Sequence, residues 1–210
     1  MASRALMIVR AASIALVLAA IVAAAQEGLS AGTFDPSRFF AYFTIQSNLI
    51  GVVAFAWLLL DRGRPRRRGL ELLRGAAAVY LTVTFFVVIF LLSGADVQLN
   101  LVWVDVALHK VFPVVVVADW LIDPPDVEIT RRDALLWLVY PIAWAVVTVI
   151  RGELDGWYPY PFLDPANGGY GQVAIVIAAI TLAFVVLALL FAAAGNARRR
   201  RAAAAQVRAA

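Results

Sequence analysis

The chain has 210 residues, a net charge of +4, and 63% hydrophobic against 15% charged residues. Soluble domains average roughly 45–50% apolar and about 25% charged residues. The composition therefore excludes intrinsic disorder, which has the opposite bias, and supplies more apolar side chain than one water-soluble core of this length can bury. The absence of cysteine and the presence of a single histidine, His109, exclude disulfides, thiolate metal sites and bis-histidine haem ligation within one chain. No metal and no cofactor is expected.

A membrane-spanning helix needs roughly 20 predominantly apolar residues. In chain order the runs that meet or approach this are Ala5–Ala25, Phe39–Leu60, Gly75–Ser93, Leu101–Ile122, Ala134–Ile150 and Gln172–Ala194. Segments rich in Arg, Asp, Pro and Gly separate them, as expected of connections in water or headgroups. The expected fold class is all-α, a polytopic membrane bundle of six transmembrane helices forming one domain over residues 1–210. Arg4 and Arg10 followed by an apolar run ending in Ala23, Ala24 and Ala25 also fit a signal peptide with its small-residue cleavage site. The length of the run favours a retained helix.

With the N-terminus inside, Arg4, Arg10, Arg62, Arg64, Arg66, Arg67, Arg68, Arg74, Arg131, Arg132, Arg198–Arg201 and Arg208 are all cytoplasmic. Arg38 and Arg151 are then outside, and Lys110 lies within a span. The positive-inside rule thus predicts an N-in, C-in protein of the cell inner (plasma) membrane, with membrane lipids as its partners. The isoelectric point near 9.8 follows from the same arginines, and no nucleic-acid partner is expected.

Polar residues inside spans are costly and mark cavities or partners. In the second span Thr44, Ser47, Asn48 and Gly51 recur at helical spacing on one face, a pattern that also serves to glue membrane helices together. In the fourth span Asp105 and His109 stand at i and i+4, so the carboxylate reaches one ring nitrogen and sets the tautomer. Lys110 is expected to point about 100° away, toward the interface or an acid of another helix. Pro113 lacks the amide that would bond the His109 carbonyl and predicts a kink there. Asp119 reads as interfacial. At 1.5 Å per residue, Thr44 lies about 9 Å below Arg38 and His109 about 12 Å below Leu101, depths that allow one shared pocket.

The loop from Arg151 to Gly171 carries Trp157, Tyr158, Tyr160 and three prolines, at 159, 161 and 165. It reads either as an aromatic belt at the membrane interface or as a lid over the pocket, with Arg151 offering an anion contact. Gly169-Tyr170-Gly171 resembles a potassium filter only superficially, since the preceding Thr-Val-Gly pattern and a pore helix are missing.

The Tyr42–Asn48 segment, His109 with Pro113, and the Arg-Gly…Gly-Trp-Tyr-Pro-Tyr-Pro-Phe-Leu loop resemble a family of uncharacterised bacterial six-helix membrane proteins. More distantly, the layout resembles the androgen-induced and androgen-dependent membrane proteins of animals, threonine hydrolases that cleave fatty-acid esters of hydroxy fatty acids. Lys110 and the loop from Trp157 to Phe162 depart from the animal pattern. The resemblance implies Thr44 as nucleophile and His109 as base. Asp105 would then orient His109, and Asn48 or a freed backbone amide would face the oxyanion. Ser47, Lys110, Arg151, Trp157 and Tyr158 complete the expected substrate-binding set for a lipid ester. Two other readings stand beside it. A transporter or proton-coupled carrier would use Asp105, His109, Lys110 and Asp119 along one helix, and a non-catalytic accessory or sensory protein would use the polar residues for packing alone.

Overall fold

A computed structural model of the protein describes residues 3–92 and 101–209. Ser93, at the end of the third expected span, and the side chain of Arg208 lie outside the described residues. The structure is 82% helical and holds no strand among the described residues. The helices are α1 (Arg4–Ser30), α2 (Pro36–Phe39), α3 (Phe43–Leu60), α4 (Arg68–Phe90), α5 (Val102–Val106), α6 (Phe112–Ile122), α7 (Arg131–Leu136), α8 (Val139–Asp155) and α9 (Gly169–Ala209). A π turn, Ala107–Val111, joins α5 to α6 into one rod.

Among the described residues, five stretches are long and apolar enough to cross a membrane: α1, α3, α4, the α7–α8 run and most of α9. The fourth expected span, 101–122, is helical almost throughout but divided by the π turn. Many large apolar side chains face outward, including Ile142, Val146, Val147 and Ile150 of α8 and Ile175 and Leu182 of α9. Such a surface requires an apolar solvent and fits an integral membrane protein.

Two prolines set the breaks in the rods. Pro141, one turn into α8, has no N–H for the Trp137 carbonyl, and the helix starts afresh at Val139. The freed carbonyl accepts instead from the Tyr80 hydroxyl of α4 at 2.7 Å. A buried tyrosine thus finds a partner at the point where proline removes one. Pro113 does the same for the α5–α6 rod, with consequences for the site.

The arginine-rich end is tied by a buried ion network. Arg10 of α1 reaches Asp119 of α6 at 2.7 Å and Asp123 at 2.6 Å. Arg74 of α4 reaches Asp119 at 2.9 Å and Glu71 at 2.7 Å. Arg66 bonds Glu71, Asp123 and Asp126, and its hydrogen bonds hold the Asp126 carboxyl below the usual carboxylate range. Arg10, Arg74, Glu71 and Asp119 are each 3% exposed or less. This corrects two expectations. Asp119 is a buried ion-pair partner of Arg10 and Arg74 rather than an interfacial residue, and Arg66, one of the arginines expected to meet anionic lipid, is held by Glu71, Asp123 and Asp126. Arginines seen only as charge counts carry no signal of their acidic partners across the fold.

Breaking a buried ion pair by removing one partner costs about 3–5 kcal/mol. Asp119→Ala removes the carboxylate that the buried Arg10 and Arg74 share, leaving Arg10 with Asp123 and Arg74 with Glu71, and is expected to lower the thermal midpoint in detergent. Replacing the exposed Arg64, which pairs with Asp61 at 3.7 Å, is expected to leave it nearly unchanged.

Candidate functional site

The end of the bundle opposite the ion network collects the polar residues of α3 and the α5–α6 rod. The face formed by Thr44, Ser47, Asn48 and Gly51 is buried as its spacing predicts. Gly51 has a steric role, because a Cβ there would lie 2.7 Å from the Phe112 ring. Its absence lets α3 approach the rod closely enough for side chains to bridge.

The bridge depends on Pro113. In an ordinary α-helix the N–H of Phe112 would bond Leu108; here it bonds Ala107. The next residue, Pro113, has no N–H to give, so the Leu108 carbonyl lacks a backbone donor of its own rod. The Asn48 amide donates to it at 3.3 Å and to the Thr44 carbonyl at 2.8 Å. Both amide protons are thereby taken, and Asn48 has none left for an oxyanion, contrary to the expectation from sequence. Its Oδ1 is buried without a partner. Ser47 donates to the Thr44 carbonyl at 3.1 Å and so supports the turn rather than facing a ligand.

The π turn also regroups the ionisable residues. Asp105 Oδ1 lies 2.8 Å from His109 Nδ1, and Asp105 Oδ2 lies 3.2 Å from Lys110 Nζ. The i,i+4 contact was expected. The i,i+5 contact was not, because an α-helix would turn Lys110 away. The wider π turn lets one carboxylate hold both residues, so Lys110 neither projects alone nor seeks an acid on another helix.

On the far side of the imidazole, His109 Nε2 is 3.3 Å from Thr44 Oγ1. With Asp105 accepting from Nδ1–H, the Nε2 lone pair faces the threonine hydroxyl. Thr44 is 6% exposed, and His109 is largely enclosed with a 13% exposed side chain. A hydroxyl, an imidazole and a carboxylate therefore stand in the series that activates a nucleophile in hydrolases.

Thr44 also forms part of the wall of a cavity of about 380 Å³ between α4, α8, α9 and the loop after α8. The wall is hydrocarbon and aromatic, with Val83, Val87, Ile142, Val146, Ile177 and Phe184 among its residues. His109, Asp105 and Lys110 are not part of it. Thr44 thus divides an apolar chamber on one side from an imidazole on the other. In the sequence these wall residues are only parts of apolar runs, because hydropathy does not distinguish a cavity wall from a membrane face.

The loop after α8 contributes differently from expectation. Arg151, Trp157 and Tyr158 do not reach the cavity. Arg151 bonds Ser37 and Asp155, and its guanidinium lies 5.4 Å from the Trp157 ring, with Arg38 at 5.3 Å. Tyr158 packs on Gly152. Tyr160, Phe162 and Leu163 line the cavity instead. The Tyr160 hydroxyl is 3.4 Å from Thr44 Oγ1 and accepts the Thr44 backbone N–H at 3.3 Å. Burial pushes this phenol up to about 12, against the opposing effect of the Thr44 bonds, so it keeps its proton at neutral pH. No group of histidine and carboxylate residues arranged to hold a metal ion occurs among the described residues.

No protein-family model, no curated protein and no solved structure matches the chain.

The π turn is open to a direct test. Pro113→Ala restores an N–H and permits an ordinary α turn, which rotates Lys110 away from Asp105 and supplies Leu108 with a backbone donor. A structure of the variant is expected to show the Lys110–Asp105 pair broken and the Asn48–Leu108 bond lost, with the thermal midpoint no lower than that of the wild type.

Proposed function

We propose that the chain is an integral protein of the bacterial inner membrane, crossing it six times with both termini in the cytoplasm, and that it hydrolyses lipid esters within the bilayer. The observation that carries the reading is Thr44 Oγ1, 3.3 Å from His109 Nε2, on the wall of an apolar cavity of about 380 Å³. The resemblance of Thr44 and His109 to the catalytic pair of the animal threonine hydrolases supports the same assignment.

In this reading an acyl chain occupies the cavity and brings the ester carbonyl to Thr44. Thr44 Oγ1 adds to the carbonyl carbon while its proton passes to His109 Nε2. Collapse of the adduct breaks the bond to the leaving alcohol, which takes that proton, and an acyl-threonine remains. Water, deprotonated by His109, then releases the fatty acid and restores Thr44. Asp105 holds the imidazole in the reactive tautomer and stabilises its protonated form, and Lys110 keeps Asp105 in place. A cavity bounded by outward-facing helices lets the substrate enter sideways from the bilayer.

Against the carrier reading stands the position of Asp119. It is locked between Arg10 and Arg74 at the opposite end, so it does not continue a file of titratable groups from Asp105 and His109.

The test is turnover of fatty-acid esters of hydroxy fatty acids by purified protein in detergent. Thr44→Ala and His109→Ala are each expected to reduce kcat by at least about 10³-fold, and Asp105→Asn by about 10²–10⁴-fold. Equal rates for wild type, Thr44→Ala and His109→Ala contradict the reading.

A further inference from the structure

Addition of Thr44 to an ester carbonyl places negative charge on the carbonyl oxygen, and a water-excluded site must supply a donor for it. The polar side chains nearest Thr44 are largely committed elsewhere. Both Asn48 amide protons go to carbonyls, and Ser47 donates to the Thr44 carbonyl. Within the cavity wall, Thr84 donates to the Tyr80 carbonyl and Trp144 to the Ala41 carbonyl. Among the described residues this leaves the Tyr160 hydroxyl as the side-chain donor on the wall within reach of Thr44 Oγ1, at 3.4 Å.

The surroundings of Tyr160 suit that role. Its oxygen already accepts the Thr44 N–H from the first turn of α3, where backbone donors lack helical partners and the helix dipole is positive. An oxygen that accepts hydrogen bonds becomes a stronger donor through its own O–H. The ring is 6% exposed. It stacks on Phe162 at 5.2 Å and packs on Tyr42 and Trp144. The hydroxyl is thus fixed before substrate arrives, as preorganised stabilisation requires.

We propose that Tyr160 is a further catalytic residue, its O–H donating to the substrate carbonyl oxygen as Thr44 Oγ1 bonds to the carbonyl carbon. The proposal rests on the hydrolase reading above. In the resting site the phenol donates to Thr44 Oγ1, whose own proton points to His109. When the carbonyl binds, the phenol proton turns to it. The carbonyl π pair moves onto that oxygen as the new C–O bond forms, and it returns to the carbon as the alcohol leaves. The phenol keeps its proton throughout. The oxyanion and Oγ1 share one carbon, so a donor within reach of one lies within reach of the other. The loop after α8 is therefore part of the catalytic site rather than only a cover for it.

Tyr160→Phe removes one oxygen and keeps the ring stack. It is expected to lower kcat by about 10²–10³-fold with little change in KM. Affinity for a long-chain trifluoromethyl ketone, which forms a tetrahedral adduct on Thr44, is expected to fall by the same factor as kcat/KM. Affinity for the matching fatty acid is expected to stay unchanged. Unaltered kcat and ketone affinity overturn the proposal. So does a parallel loss of both ligands with a lowered thermal midpoint, which marks a packing role alone. If the variant does not fold, 3-fluorotyrosine at position 160 keeps ring and hydroxyl while strengthening the donor. It is then expected to raise kcat, and an unchanged kcat overturns the proposal. A wild type no faster than Thr44→Ala overturns the hydrolase reading and the role of Tyr160 with it. Turnover that depends on Thr44 but not on Tyr160 overturns the latter alone.

Discussion

One missing backbone proton organises the candidate site. A proline inside a helix costs about 3 kcal/mol or more, and Pro113 persists because the backbone around it is rearranged rather than left unsatisfied. The π turn Ala107–Val111 absorbs the ring, and the Asn48 amide takes up the stranded Leu108 carbonyl. That hydrogen bond crosses from the rod to α3, and the same amide holds the Thr44 carbonyl one turn earlier. The register between Thr44 and His109 therefore depends on a side chain engaged to satisfy the backbone. In lipid, where no water replaces a lost partner, such a constraint is strict.

The ion network secures the opposite end of the same bundle. Asp119 and Asp123 bring together α1, α4 and the end of the α5–α6 rod through Arg10, Arg74 and Arg66. Enclosed charges of this kind add little net stability over a hydrocarbon core, but they are costly to break. The rod is thus held at both ends, by ion pairs at Asp119 and by hydrogen bonds at Leu108 and His109. α8 and α9 present many apolar side chains outward, and the cavity lies between them and α4. A rigid polar half beside an apolar chamber suits a reaction in which lipid must enter and leave.

The all-helical fold and five of the candidate spans were legible in the sequence because a spanning helix is a property of local composition, and long apolar runs separated by charged loops leave few other folds. Thr44, Asp105 and His109 were also within reach, since i,i+4 spacing and helix rise place them by arithmetic. Lys110 was not, because its position depends on a π turn, and the α-helical rule applied to Pro113 predicts a kink instead. Tyr160 was hidden among loop aromatics that serve equally well as an interfacial belt. Arg10 and Arg74 were read as topology markers, since pairing with Asp119 across more than 40 residues of sequence leaves no local pattern. The residues that escaped are those whose neighbours are set by the fold rather than by the chain.

The account as a whole turns on Thr44 acting as a nucleophile and not as a packing hydroxyl. A hydroxyl that bonds His109 only for structural reasons forms no covalent adduct, whereas an activated one does. The most direct measurement is treatment of the purified protein with a long-chain alkyl fluorophosphonate, followed by mass spectrometry of its peptides. The account predicts one adduct, on Thr44, abolished in His109→Ala. Full-length protein that remains unmodified, or is modified at Thr44 equally well without His109, contradicts it.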